Sequence, residues 1–290
     1  MTESSTPTES SASDQFRLDG RVAVITGGAG KLGGQYARAI IRAGGLPVLL
    51  DVDGARLDET CAELGEFQAG VAITGIECNI TLPDDVERAC EQILAVNSRI
   101  DILINNAANN PHIGDTGKGG SEHHWSRLES FPLSVWNDDM AVGLTGAFLC
   151  SKTFGTVMAT QKKGVILNIA SDLSLIAPDQ RLYQQSGLPE QSQHVKPVSY
   201  SVVKTGILGL TRYLSTYWAH KGVRVNALSL GGVYSSDLDD AFVTRITDLI
   251  PLGRMANLDE YNATVLFMIS DASQFMNGAN VVMDGGRTAW

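Results

Sequence analysis

The chain predicts an open α/β fold: one parallel sheet, doubly wound, with helices on both faces. Three observations predict it. Short runs rich in Val, Ile and Leu alternate with amphipathic stretches from Arg21 onward. A glycine cluster separates the first such run from the first helical stretch, and no internal repeat or central linker divides the 290 residues. At roughly 150 residues per domain the length would allow two domains, but the unbroken alternation favours one, over residues 17–290.

Residues 1–14 hold eight Ser or Thr, three acids and no basic residue. Such a stretch has neither the apolar run of a secretory signal nor the arginines of a transit peptide. A disordered tail is expected over 1–16. Strands are then expected at Val22–Thr26, Pro47–Asp51, Val71–Cys78, Asp101–Asn105, Val165–Ala170, Val223–Ser229 and Asn280–Asp284, because continuous apolar runs suit strands buried on both faces. Helical periodicity marks Leu32–Ala43, Asp84–Val96, Leu133–Ala159, Ser199–His220 and Leu258–Ser270. Alternation of the two implies right-handed crossovers and a parallel sheet. Two insertions interrupt the rhythm, Ala108–Pro132 and Asp179–Pro197. Loops this long in a compact domain serve as lids or binding segments, and both leave strand ends where open α/β sheets bind ligands.

Composition narrows the function. Hydrophobic residues make up 43% of the chain and charged residues 19%, as in ordinary globular proteins. With 22 Lys and Arg against 32 Asp and Glu, the formal charge is −10. A nucleic-acid binder needs clustered cations, so nucleic acid is not an expected partner, and neither is an anionic membrane surface. No uninterrupted apolar run approaches the roughly 18 residues of a membrane span. Cys61, Cys78, Cys90 and Cys150 form no C-x-x-C pair, which suggests reduced thiols and a cytoplasmic location.

Thr26-Gly27-Gly28-Ala29-Gly30-Lys31-Leu32-Gly33 follows the first strand and opens a helix. Small residues allow a tight turn whose helix N-terminus can meet a pyrophosphate. Asp51, 18 residues past Gly33 at the end of the second strand, can accept hydrogen bonds from both ribose hydroxyls and repel a 2′-phosphate. The expected cofactor is therefore NAD rather than NADP.

Tyr200-Ser201-Val202-Val203-Lys204 opens an apolar-faced helix, and i, i+4 spacing sets Tyr200 and Lys204 on one face. A phenol with an ordinary pKa of about 10 needs a shift of about three units to act as a base at neutral pH. An ammonium about 4 Å away would supply it. Ser171, after the fifth strand, is placed to hydrogen-bond a substrate oxygen.

These residues together resemble the short-chain dehydrogenase/reductase family, over roughly residues 17–290. Asn105-Asn106-Ala107, Arg224-Val225-Asn226 and Asp284-Gly285-Gly286 extend the likeness. The resemblance implies a seven-stranded Rossmann sheet and hydride transfer between a nicotinamide and an alcohol or carbonyl carbon. It makes Tyr200 the general acid/base. Lys204 would lower the tyrosine's pKa and hold the nicotinamide ribose, and Ser171 would orient the substrate oxygen. NAD would be bordered by Gly27, Gly30, Lys31, Leu32, Asp51, Asn79, Ile80, Asn106, Ala107, Val233 and Ser235, with Tyr200 and Lys204. The family also implies a homotetramer paired through the two long helices.

Departures accompany the likeness. Lys31 stands where the family has Gly, Asn79 where it has Asp, Ala108 where it has Gly, and Leu230 where it has Pro. Gly143 replaces an Asn that helps relay protons in the family. Ser171 and Tyr200 lie 29 residues apart because Asp179–Pro197 is inserted. That insertion resembles, more weakly, a branch found in bacterial amino-sugar and nonulosonic-acid biosynthesis. Its Gln180, Arg181, Gln184, Gln185, Gln191, Gln193, His194 and Lys196 suit a small, polar, sugar-like substrate.

His112, Glu122, His123 and His124 lack regular ligand spacing, and no metal is expected. Trp136, Trp218 and Trp290 read as packing or subunit contacts. The leading expectation is an NAD-dependent oxidoreductase acting on a secondary alcohol or ketone of a sugar-like molecule. The alternatives are the same chemistry on a hydrophobic acyl or cyclic ketone, or a nucleotide-binding module that has lost turnover at Gly143.

Overall fold

The computed structural model describes residues 11–68, 70, 73–109 and 124–290. Seven strands form one sheet: β1 Val22–Thr26, β2 Leu46–Asp51, β3 Thr74–Glu77, β4 Ile102–Asn105, β5 Gly164–Ser171, β6 Val223–Leu230 and β7 Asn280–Met283. Every pairing is parallel, in the order β3-β2-β1-β4-β5-β6-β7. The chain winds outward in both directions from β1 and β4, so the crevice between their C-terminal ends is the ligand position such sheets create.

The apolar runs are continuous because each strand feeds two cores. In β1, Ala23 and Ile25 join Leu49, Tyr36, Ile40, Tyr261 and Met268 on one face, whereas Val22 and Val24 join Val48, Leu50, Ile93, Phe154 and Met158 on the other. Alternate side chains of a strand point to opposite faces, so both sets must be apolar. The first face is covered by α1 Lys31–Arg42 and α8 Asn262–Ile269, and the second by α3 Pro83–Asn97, α5 Ala147–Gln161 and α6 Val198–Tyr217.

Two helices carry too narrow an apolar stripe to have been foreseen. They are α2 Gly54–Phe67, which buries only Leu57 and Leu64, and α7 Asp240–Thr247, which buries Ile246. β3 is shorter than the expected Val71–Cys78, and its expected start at Val71 and Ala72 lies outside the described residues. The disorder expected over 1–16 does not extend to Asp14–Phe16. Asp14–Phe16 form a 3-10 turn, and the Phe16 ring stands 6.4 Å from that of Phe267. Residues 1–10 lie outside the described residues. The four cysteines are free, and burial raises the Cys78 and Cys90 thiols to about 11.

The long helix expected at Leu133–Ala159 runs from α4 Leu133–Met140 through a π-helical segment, Ala141–Gly146, into α5. Length and composition would let this helix cross a membrane, a feature its interspersed polar residues hid in the sequence. Here it packs on β4, β5 and α3. Gly143 sits in the π segment, where an added Cβ would lie 2.4 Å from Val203 Cγ1 on α6. The space an Asn would need is thus filled by Val203. G143N should cost about 1–3 kcal/mol through overpacking, read as a lower urea midpoint, and V203A in the same chain should recover most of it.

Candidate active site

The glycine turn is locked between two strand ends. Thr26 Oγ1 accepts hydrogen bonds from the backbone N–H groups of Asn106 (3.0 Å) and Ala107 (3.1 Å). In return, Asn106 Nδ2 donates to the carbonyls of Thr26 (3.0 Å) and Gly27 (3.2 Å). Gly27 has φ +65°, and a Cβ there would stand 2.9 Å from Ala107 Cα, so side chains are excluded on two grounds. Gly30 begins α1 with no side-chain cap and no acid in the first turn. An uncapped helix N-terminus of this kind favours an anion.

Asp51, at the tip of β2, accepts from Ala29 N (3.0 Å) and Asp53 N (3.2 Å). Its partly exposed carboxylate is therefore fixed beside the turn with further lone pairs to offer. These features fit a dinucleotide: an open helix end for the pyrophosphate and an oriented carboxylate for the ribose.

Other expected cofactor residues take more specific places. Asn79 Oδ1 accepts from Thr81 N and Oγ1, closing the loop after β3, while Ile80 is buried beside Gly146. Leu32, Asn106 and Val233 line the cleft. Lys31 and Ser235 were expected at the phosphates and the carboxamide. Instead Lys31 Nζ donates to Ser235 Oγ (2.7 Å) and approaches Asp237 (3.4 Å), spanning from α1 to the loop after β6. Lys31 and Asp237 are both exposed, and the pair bridges the rim rather than the floor.

The expected chemical residues come together. Ser171, Tyr200 and Lys204 line one cleft of about 370 Å³ with Asn106 and Val233. Strand β5 carries Ser171 at its C-terminal end. A buried polar chain steadies that end: Asn105 Nδ2 donates to Ser151 Oγ and Asn168 Oδ1, and Asn168 Nδ2 donates to Thr211 Oγ1. Helix α6 begins after Pro197 and presents Tyr200 and Lys204 one turn apart.

The phenol's electrostatics differ from expectation. Lys204 Nζ stands 5.9 Å from the Tyr200 ring centre and donates to the Ile169 carbonyl at 2.9 Å. Burial raises the Tyr200 pKa above the ordinary phenol value, against the lowering effect of its hydrogen bond with Ser171, and the Asp172 carboxylate raises it further. Burial acts on Lys204 as well and, with the Lys196 charge, lowers its pKa to about 8.

Sequence reasoning missed three polar lining residues. Asp172 and Arg287 form a buried ion pair, with Arg287 NH1 2.6 Å from Asp172 Oδ2. The other oxygen, Asp172 Oδ1, accepts from Ser171 Oγ at 2.7 Å. Tyr183 enters from the 179–197 insertion, its ring 5.5 Å from that of Phe242 on α7. Adjacency to Ser171 was the available signal for Asp172. Nothing in the sequence linked Arg287 to it across 115 positions.

Of the insertion's polar residues expected at the substrate, Lys196 is the one that lines this cleft among those described. Arg181 pairs with Asp179, Gln193 bridges Gln185 and Leu188, and Gln180 accepts from the Lys196 backbone. His112, Glu122 and His123 lie outside the described residues. Among those described, no cluster of three metal-ligating side chains occurs. The His124 and His194 rings lie 4.0 Å apart in a tilted contact, and Trp218 packs on Gly155.

A doubly wound parallel sheet with a dinucleotide turn and a Ser, Tyr and Lys cleft defines a nucleotide-dependent oxidoreductase. Residues 28–288 match a family model described as enoyl-(acyl carrier protein) reductase. The chain is 31% identical over 284 residues to D-threitol dehydrogenase of Mycolicibacterium smegmatis, covering 97% of each. It is 31% identical over 281 residues to galactitol 2-dehydrogenase (L-tagatose-forming) of Cereibacter sphaeroides, covering 95% of this chain and 98% of that one. A gluconate 5-dehydrogenase from Burkholderia cenocepacia, solved with NADP and tartrate, superimposes with a TM-score of 0.80 at 27% identity, covering 96% of this chain and 98% of that one. The chain belongs to the short-chain dehydrogenase/reductase family and is an NAD(P)-dependent oxidoreductase acting on CH–OH groups of small molecules.

Removing Arg287 would strand the Asp172 carboxylate, because both are almost fully buried. R287M should cost about 3–5 kcal/mol, seen as a fall in the urea midpoint. D172N in the same chain should restore much of the loss by removing the uncompensated charge.

Proposed function

We propose that this chain is an NAD-dependent dehydrogenase that interconverts a secondary alcohol and a ketone on a small, polyhydroxylated, sugar-like substrate. The observation that carries the reading is the convergence of Ser171, Tyr200 and Lys204 beside a turn whose neighbouring ribose position ends in Asp51. Residues able to hold the cofactor are Asp51 at the adenosine ribose, the first turn of α1 at the pyrophosphate, and Lys204 with Tyr200 at the nicotinamide ribose. When bound, the nicotinamide supplies the hydride acceptor or donor.

The chain's own groups handle the proton. Tyr200, once ionised, takes the alcohol's hydroxyl proton as the carbon becomes a carbonyl, and returns it in the reverse direction. Ser171 shares the substrate oxygen with Tyr200. Lys204 is tied to the Ile169 carbonyl and so holds its positive charge at a fixed place below the phenol.

Polarity of the cleft supports the substrate class. Ser171, Asp172, Tyr183, Lys196 and Arg287 offer donors and acceptors around Tyr200. Of the apolar lining residues, Ile246, Met255, Phe242 and Leu238 belong to a cluster that also packs Leu182 and Tyr183 of the insertion. The polyol names of two relatives agree with this reading. NAD is preferred because Asp51 would repel a 2′-phosphate. The exposed Phe148, Val202, Tyr213 and Tyr217 on α5 and α6 support a homotetramer paired through those helices. The acidic charge and free cysteines support a cytoplasmic location.

With D-threitol and galactitol as probes, Y200F should lose about 10²–10⁴-fold in turnover while NADH binding, followed by fluorescence, changes little. Equal turnover in both proteins would refute the assignment. D51A should lower kcat/KM for NAD by about tenfold, a loss of ~1.4 kcal/mol, with the ratio of NADP to NAD use rising. A wild-type preference for NADPH would overturn the role given to Asp51.

A further inference from the structure

We propose that Lys196, carried by the insertion, is a positioning residue for the reaction: its ammonium, seated on the face of the Tyr200 ring, stabilises the phenolate that takes the substrate's proton. This rests on the reading of Tyr200 as the acid/base.

The geometry is direct. Lys196 Nζ lies 3.8 Å from the Tyr200 ring centre, nearer than Lys204 at 5.9 Å. A cation over an aromatic face is attracted by the ring, and that attraction grows when the ring gains the charge of a phenolate. The surrounding backbone fixes the placement. Lys196 N donates to Gln180 Oε1 at 2.8 Å, tying the two ends of the insertion together. Pro197 then opens α6, and Ser199 Oγ donates to the buried Asp139 carboxylate. The five residues from Lys196 to Tyr200 are therefore held near both ends.

The charged and titratable groups around this pair come from five places: Asp172 after β5, Asp139 on α4, Lys204 on α6, Tyr183 on the insertion and Arg287 after β7. Asp172 is already matched by Arg287. Burial lowers the Lys196 pKa to about 8, while Asp172 and Asp139 act to keep it charged. The Lys196 ammonium lies over the face of the phenol ring, 3.8 Å from its centre. Lys196 also depresses Lys204, so the two ammonium groups share one phenol. A purely packing role would ask only for a long chain over the ring, which methionine supplies equally well.

Two readouts separate these roles. With Tyr200 replaced by difluorotyrosine, fluorine NMR of the full chain without cofactor follows the phenol's titration directly. K196M should raise the midpoint by on the order of one pH unit, the scale of one charge at this range in a partly solvated site. K196R should leave it near the wild-type value. In NAD-dependent oxidation of D-threitol by chains with the native Tyr200, the acid limb of kcat/KM should move the same way in K196M. An unmoved phenol in K196M, or an equal shift in K196R, overturns the role of Lys196. Activity surviving in Y200F instead overturns the reading of Tyr200 itself, so the two failures are distinct.

Discussion

The site depends on a reciprocal clamp between the ends of β1 and β4. One threonine hydroxyl satisfies two backbone donors at the start of the β4 loop, and one asparagine amide satisfies two carbonyls of the glycine turn. Four hydrogen bonds thereby fix where two neighbouring chains part. That parting is the crevice at which strand order reverses. The uncapped start of α1 and the Asp51 carboxylate are aimed relative to it, and the β5 end carrying Ser171 is referenced to it through Asn105 and Asn168. Without the clamp the binding half and the chemical half would have no common frame.

Burial sets the second constraint. Lys196, Lys204 and Arg287 line one small cleft with a single carboxylate, Asp172, among the described residues. Such an arrangement resists the charged forms of its own lysines, which is why both titrate near 8. It also places positive charge wherever a negative one must appear during proton transfer. The phenol is hard to ionise because it is desolvated. The Lys196 and Lys204 side chains face its ring, and preorganised charge acts strongly where water is excluded.

Much of this was legible in the chain. Val22–Thr26 was foreseen to the residue because a strand feeding two cores must be apolar throughout. Thr26–Gly33, Asp51, Ser171, Tyr200 and Lys204 stood out because each sits beside a recognisable element boundary. Helices α2 and α7 did not, since two buried leucines in fourteen residues make no visible stripe. Lys31 read as a phosphate ligand but reaches across the rim to Ser235, a contact over 204 positions that no local pattern encodes. Lys196 appeared only as one polar residue among many. Its importance comes from the loop's path over the Tyr200 ring, and a path is a property of tertiary packing.

Arg287 gives the clearest case of such distant control. Ser171 donates its hydroxyl proton to Asp172, so hydrogen-bonding that hydroxyl to a substrate oxygen means giving up a hydrogen bond to a carboxylate. Bonds of this charged kind contribute about 1.5–3 kcal/mol, enough to hold Ser171 away from the substrate if Asp172 had no other strong partner. Arg287 is that partner, and Leu173 N donates to the same carboxylate at 2.8 Å. With both in place, Asp172 remains satisfied when Ser171 turns. The residue that keeps Asp172 satisfied therefore comes from beyond the last strand, and the segment after β7 lines the same cleft as Ser171.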